Sequence, residues 1–150
     1  MRAVIQRVTS ASVTINGELL SQIGPGICLL VGFNATDNAS DMDYIINKTL
    51  NLRIFGDQDD KMNLSLKDVH GDLLVVSQFT LYGDCRKGRR PSFSQSGDVK
   101  SAKMKYLEFK EKIQAAYDHP VAFGQFQADM LVHIDNDGPV TMLLDSSKIF

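Results

Sequence analysis

A chain of 150 residues with 43% hydrophobic and 23% charged content is long enough to bury one core unaided, which sets aside a disulfide-stapled miniprotein and a disordered segment. Its net charge of −2 excludes a global basic field that would gather nucleic acid, so any RNA contact has to come from a local patch. No run approaches the ~20 apolar residues of a membrane-crossing helix, and with no secretory h-region at the start the expected location is cytoplasmic, away from membranes.

The first third reads as strands. Ala3–Val8 is a short apolar segment carrying Arg7 near its end, and Ser12-Val13-Thr14-Ile15 alternates. Asn16-Gly17 is the dipeptide favoured in a type I′ hairpin turn, with Glu18 to Ile23 as the return strand. Gly24-Pro25-Gly26 marks a further turn, and Ile27–Val31 a buried strand in which Cys28 reads as a packed thiol. These segments suggest an antiparallel meander. Ser40 or Asp41 can cap a helix whose apolar positions Met42, Ile45, Ile46, Leu50 and Ile54 fall at helical spacing. Arg53-Ile54-Phe55 leaves it for a short strand, and Met62–Leu66 alternates as another. His70-Gly71 is a solvent-facing turn.

Leu73-Leu74-Val75-Val76 then runs continuously apolar, the mark of a strand buried on both faces. It turns polar at Ser77, Gln78 and Thr80 without an intervening Gly or Pro. A buried polar group left unpaired costs about 1–3 kcal/mol, so these side chains either bond neighbouring backbone or line a pocket for a polar ligand. Arg86, Lys87, Arg89 and Arg90 follow, packed around Gly88 and ending at Pro91. This basic loop is either a solvated surface or a set of phosphate contacts. Cys85 beside it is a candidate for a depressed thiol pKa, but a thiolate nucleophile wants a paired base and no histidine lies close in sequence. Two distant cysteines without metal-ligand spacing suit a reducing compartment.

Asp98 can cap the longest helix, running to about Tyr117, with a core stripe at Val99, Ala102, Tyr106, Phe109, Ile113 and Ala116. The lysines between those positions read as its solvated face, with Glu108 supporting Lys112. Pro120 prevents continuation, and His119 is placed at the negative end of the helix dipole. Met130–Ile134 is a strand holding His133, and Val140–Leu144 is a final strand; Gly138-Pro139 between them is either a tight hairpin or part of a site. No Gly-x-Ser-x-Gly elbow, no His-Glu-x-x-His and no Ser/His/Asp set is present, so no metal and no cofactor is expected. The fold class expected is α+β over a single domain, residues 1–150: a mostly antiparallel, barrel-like β-sheet with two main helices.

Four stretches, in order across nearly the whole chain, resemble the D-aminoacyl-tRNA deacylase family: Ile5-Gln6-Arg7-Val8, Ser77-Gln78-Phe79-Thr80-Leu81, Gly88-Arg89-Arg90-Pro91-Ser92-Phe93 and Asn136-Asp137-Gly138-Pro139-Val140-Thr141. The resemblance implies a homodimer with active sites at the subunit interface, acting on aminoacyl-tRNA and not on DNA. It implies that Gly138-Pro139 is a cis unit entering the active site of the other subunit, held by Arg7, so that L side chains clash while D side chains and glycine pass. It further implies that the Phe79 N–H, flanked by Ser77, Gln78 and Thr80, meets the oxyanion while the 2′-OH of the terminal adenosine assists. Phe126 and Met130 resemble residues flanking the adenosine pocket, and Gln127 stands where a small residue is usual. Two other classes stay open on the residues alone: a module that holds tRNA ends without cleaving them, and a metal-free esterase of small molecules.

Overall fold

Leu73, Leu74, Val75 and Val76 point alternately into two apolar layers, and the architecture follows from that alternation. In a computed structural model, which describes residues 1–94 and 96–149, Leu73 and Val75 pack with Ile45, Leu50, Phe109 and Ile113 of two helices. Leu74 and Val76 pack with Val8, Val13, Ile23 and Cys28 inside a curved sheet. Fully burying one such side chain is worth about 1.5–3 kcal/mol, so this strand anchors both layers.

The sheet is built around β1 (Arg2–Ile15), one unbroken strand where the sequence suggested two. Thr9 is exposed, and the pairing of Ser10 with Asp135 carries the strand past it. Asn16 and Gly17, at φ 53° and 82°, make the expected I′ turn into β2 (Glu18–Ile23), and β3 (Gly26–Gly32) returns along the first half of β1. Both pairs are antiparallel. β6 (Asp72–Ser77), however, runs parallel to β3, and β7 (Val121–Phe123) parallel to β6. The sheet is therefore mixed, antiparallel around β1 as expected but parallel from β3 through β6 to β7, because helical crossovers, unlike hairpins, bring strands back in the same direction. Ser21 Oγ of β2 donates to the Phe123 carbonyl of β7 at 3.1 Å, so the sheet nearly closes on itself.

The first crossover holds α1 (Ala39–Asn51). Its cap is Asn38 rather than Ser40 or Asp41: Asn38 Oδ1 accepts from the Ser40 N–H and Asp41 Oδ2 accepts from the Asn38 N–H, each at 2.9 Å, a reciprocal capping box. A small hairpin of β4 (Phe55–Gly56) and β5 (Met62–Leu64) follows. Leu66 does not extend β5, because Ser65 caps a single turn, α2 (Leu66–Val69). That turn ends on His70 at φ 48°.

The second crossover holds α3 (Val99–Ala116), capped by Asp98 as expected. Its buried stripe narrows to Tyr106, Phe109 and Ile113, with Val99 and Ala116 exposed. Nor are its lysines simply solvated. Lys105 Nζ donates to the carbonyls of Asn34, Ala35 and Asp37 at 2.7–2.8 Å. Lys112 pairs with Asp43 of α1 at 2.8 Å, and Lys110 lies 4.4 Å over the Phe123 ring. Beyond the helix, His119 sits 3.5 Å from Asp72. The last element, β8 (Leu131–Asp145), is a single strand antiparallel to β1. Gln6 pairs with Thr141 but Val8 with Asn136, so residues 137–140 bulge out of one strand, and the alternative of a tight hairpin between two strands is set aside.

Candidate active site

Parallel strands deliver their carboxyl ends to one edge of a sheet, where ligand crevices form. Beyond the ends of β3, β6 and β7 lies a pocket of about 570 Å³, within the range of small-molecule sites. One wall is the turn after β6. Gln78 N–H donates to the Val31 carbonyl at 2.7 Å, extending the parallel ladder one residue past the strand. The chain then tightens into a 3-10 turn, Phe79–Tyr82, with no side-chain cap. The N–H groups of such a first turn have no partner within the turn, and among the described residues no acceptor meets those of Phe79 and Thr80.

Two close contacts fix this turn. A Cβ on Gly32 would lie 2.9 Å from the Gln78 carbonyl and 3.2 Å from Leu81 Cβ, so β3 approaches as only glycine allows. Arg2 donates through Nη1 to the Leu81 carbonyl and through Nε to Asp145, both at 3.0 Å, with its guanidinium 4.7 Å over the Tyr82 ring. Gln78 Nε2 donates to Thr80 Oγ1, which occupies the threonine hydroxyl on the exposed side of the turn.

The opposite wall carries Phe126 and Met130. Phe126 stacks on Tyr106 at 5.7 Å and 29°. The Tyr106 hydroxyl donates towards the Gly124 carbonyl at 3.2 Å, and burial pushes its pKa up to about 12, keeping it a neutral donor. Met130 sulfur accepts from the Gln125 N–H at 3.3 Å. Gln127, at φ 62°, stands exposed on the rim.

Gly138 and Pro139 form a second constellation, outside this lining and exposed at the bulge of β8. Their peptide bond is cis, and Gly138 adopts φ 109°. Arg7 lies beneath: Nη1 donates to the Ile54 carbonyl at 2.7 Å, and Nε sits 2.8 Å from Asp137 Oδ2 as an ion pair, out of line for a hydrogen bond. Asn136 closes the bulge, its Nδ2 donating to the carbonyls of Arg7 at 2.9 Å and Val140 at 3.0 Å while its Oδ1 accepts from Thr141 Oγ1 at 3.2 Å.

Ser77, Gln78, Phe79, Phe126 and Met130 thus meet in one pocket, Thr80 adjoins it, and Arg7, Gly138 and Pro139 lie together elsewhere on the chain. Arg86, Lys87, Arg89 and Arg90 are exposed on a loop pinched by the Asp84–Ser92 bridge. Bonds from Arg86 hold the Asp84 carboxyl well below the usual carboxylate range. Sequence reasoning gave no site role to Asn136 or Arg2, and placed Tyr106 only in a core stripe. Asn136 stands inside a motif already singled out, and its amide beside a Gly-Pro corner was the available signal.

Fold and pocket define a nearly closed α+β barrel with a pocket beyond the carboxyl ends of its parallel strands. The chain belongs to the D-Tyr-tRNA(Tyr) deacylase family, whose model matches residues 4–145, and is thereby an ester hydrolase. It is 55% identical to a D-aminoacyl-tRNA deacylase of Thermosipho melanesiensis and 56% identical to one of Clostridioides difficile, each over 100% of both chains. A solved structure described as c-Myc DNA Unwinding Element Binding Protein superposes with a TM-score of 0.92 at 42% identity, covering 97% of this chain and 98% of that one.

Proposed function

We propose that this chain acts as a homodimer that hydrolyses the ester of D-aminoacyl-tRNA, and of mischarged glycyl-tRNA, while rejecting L-aminoacyl-tRNA. One observation carries the reading: the pocket with backbone donors and the Gly138-Pro139 corner lie apart on one chain, and a second copy is what would bring them together. Leu131 and Leu143 of β8, and Leu19 of β2, are 59–61% exposed, an apolar outer surface suited to meeting another protomer.

In this reading the terminal adenosine rests between Phe126 and Met130, and the ester carbonyl faces the Phe79 N–H. Water attacks that carbonyl with help from the adenosine 2′-OH. The Phe79 N–H stabilises the oxyanion, and collapse breaks the ester bond to give free amino acid and free tRNA. Protein side chains then serve mainly to position the main chain. The carbonyls of the partner protomer's corner occupy the direction an L side chain would need, so D side chains and glycine pass without selective contacts. The basic loop supplies phosphate contacts.

Incubation with D-tyrosyl-tRNA, L-tyrosyl-tRNA and a 2′-deoxy-ended D-tyrosyl analogue tests this reading. Loss of the D-ester alone, with little turnover of the deoxy analogue, is expected. Comparable cleavage of the L-ester removes the steric filter, and no cleavage of any ester removes the hydrolytic reading.

A further inference from the structure

Phe79 and Phe93 leave large apolar surfaces in water, 59% and 38% exposed, although they pack on one another with ring centroids 5.2 Å apart at 59°. Phe79 belongs to the pocket wall. Phe93 directly follows Ser92, whose N–H and carbonyl bond Asp84 at 3.0 and 2.8 Å and close the base of the basic loop. The Phe93 carbonyl accepts from Ser96 Oγ at 2.6 Å, which ties down the chain on its other side. The two rings therefore join the pocket to a loop carrying Arg86, Lys87, Arg89 and Arg90.

We propose that this aromatic pair is a stacking platform for the unpaired nucleobase preceding the terminal adenosine of tRNA. The proposal rests on the tRNA-end reading of the pocket. If the last nucleoside fills that pocket, the next must leave past its wall, and its phosphate needs a cation. An aromatic face beside a cationic loop meets both demands, since stacking tolerates any base while cations follow the backbone. An aliphatic side chain at position 93 would keep the apolar contact with Phe79 but lose the π-face.

Phe93→Leu and Phe93→Tyr separate these effects. With D-tyrosyl-tRNA, Phe93→Leu is expected to raise KM about five- to tenfold, the lower part of the range for one stacked base, with kcat nearly unchanged and Phe93→Tyr close to the parent. With D-tyrosyl-adenosine, which lacks the preceding nucleotide, all three proteins are expected to share one KM. A readout independent of hydrolysis uses uncharged tRNA with 2-aminopurine before the terminal adenosine. The parent is expected to quench its fluorescence on binding, and Phe93→Leu to lose most of that quenching. If the parent quenches but hydrolyses nothing, the deacylase reading falls and the platform stands. Undiminished quenching by Phe93→Leu, an equal rise in KM for both esters, or a change in molar mass by light scattering would overturn the platform.

Discussion

Asn136 Nδ2 reaches the carbonyl of Val140 at 3.0 Å, spanning the residues that leave the β1–β8 ladder and turning a four-residue bulge into a closed loop. The same amide group holds the Arg7 carbonyl, so removing it strands two partly buried acceptors at once. Asn136→Ala is expected to lower unfolding free energy by about 1–3 kcal/mol, seen as a lower urea midpoint. It should also raise the ratio of L- to D-tyrosyl-tRNA hydrolysis. Asn136→Asp, similar in shape but unable to donate, should follow it.

Gly138 sits at φ 109°, where an L side chain is strained, and a Cβ there would lie 2.9 Å from both Arg7 Nη2 and Val140 Cγ2. Gly138→Ala should displace the corner. A rise of roughly tenfold or more in the ratio of L- to D-tyrosyl-tRNA hydrolysis is expected, about 1.4 kcal/mol of lost discrimination, with the far-UV circular dichroism spectrum retained.

Burial pushes the Cys28 thiol and the Tyr106 and Tyr117 phenols up to about 12, from 9.0 for a free thiol and 10.0 for a free phenol. The unfolded chain therefore releases these protons first as pH rises. Their contribution to stability is complete below pH 9.0 and declines from there to about 12. Urea midpoints should fall between about pH 8 and about pH 10.5. At the lower pH a thiol reagent should label exposed Cys85 and spare buried Cys28.

Removing two exposed cations with Arg89→Ala and Arg90→Ala together should raise KM for aminoacyl-tRNA and reduce the slope of log affinity against log salt by about 1–2. Turnover of D-tyrosyl-adenosine should be untouched, because that substrate carries no phosphate for the loop to meet.

Much of the chain was legible because its signals are local. Asn16-Gly17 dictated its own turn, Asp98 its cap, and Leu73–Val76 its burial on both faces. What escaped depends on partners distant in sequence. Strand direction around β6 is set by crossovers rather than by the strand's residues, hence the mixed sheet. Lys105 looked solvated until the carbonyls of Asn34, Ala35 and Asp37 folded over it. Ser40 and Asp41 were plausible caps, and only the reciprocal bonds show Asn38 taking the role with Asp41 as its partner. Of the site, Ser77, Gln78 and Phe79 line one pocket with Phe126 and Met130, while Tyr106, which braces Phe126, was indistinguishable from any other residue of a core stripe.

The shared direction of β3, β6 and β7 has one more consequence. The segments that follow these three strands share one rim of the cavity, and Gln127, Ala128 and Asp129 on it belong to neither apolar layer. Exchanging those residues would remodel what the cavity admits without reaching the interior packing. Val31, Phe33 and Val76 belong to both cavity and core, and at Gly32 the scaffold presses against the working turn, so change at those positions would be felt on both sides of the boundary.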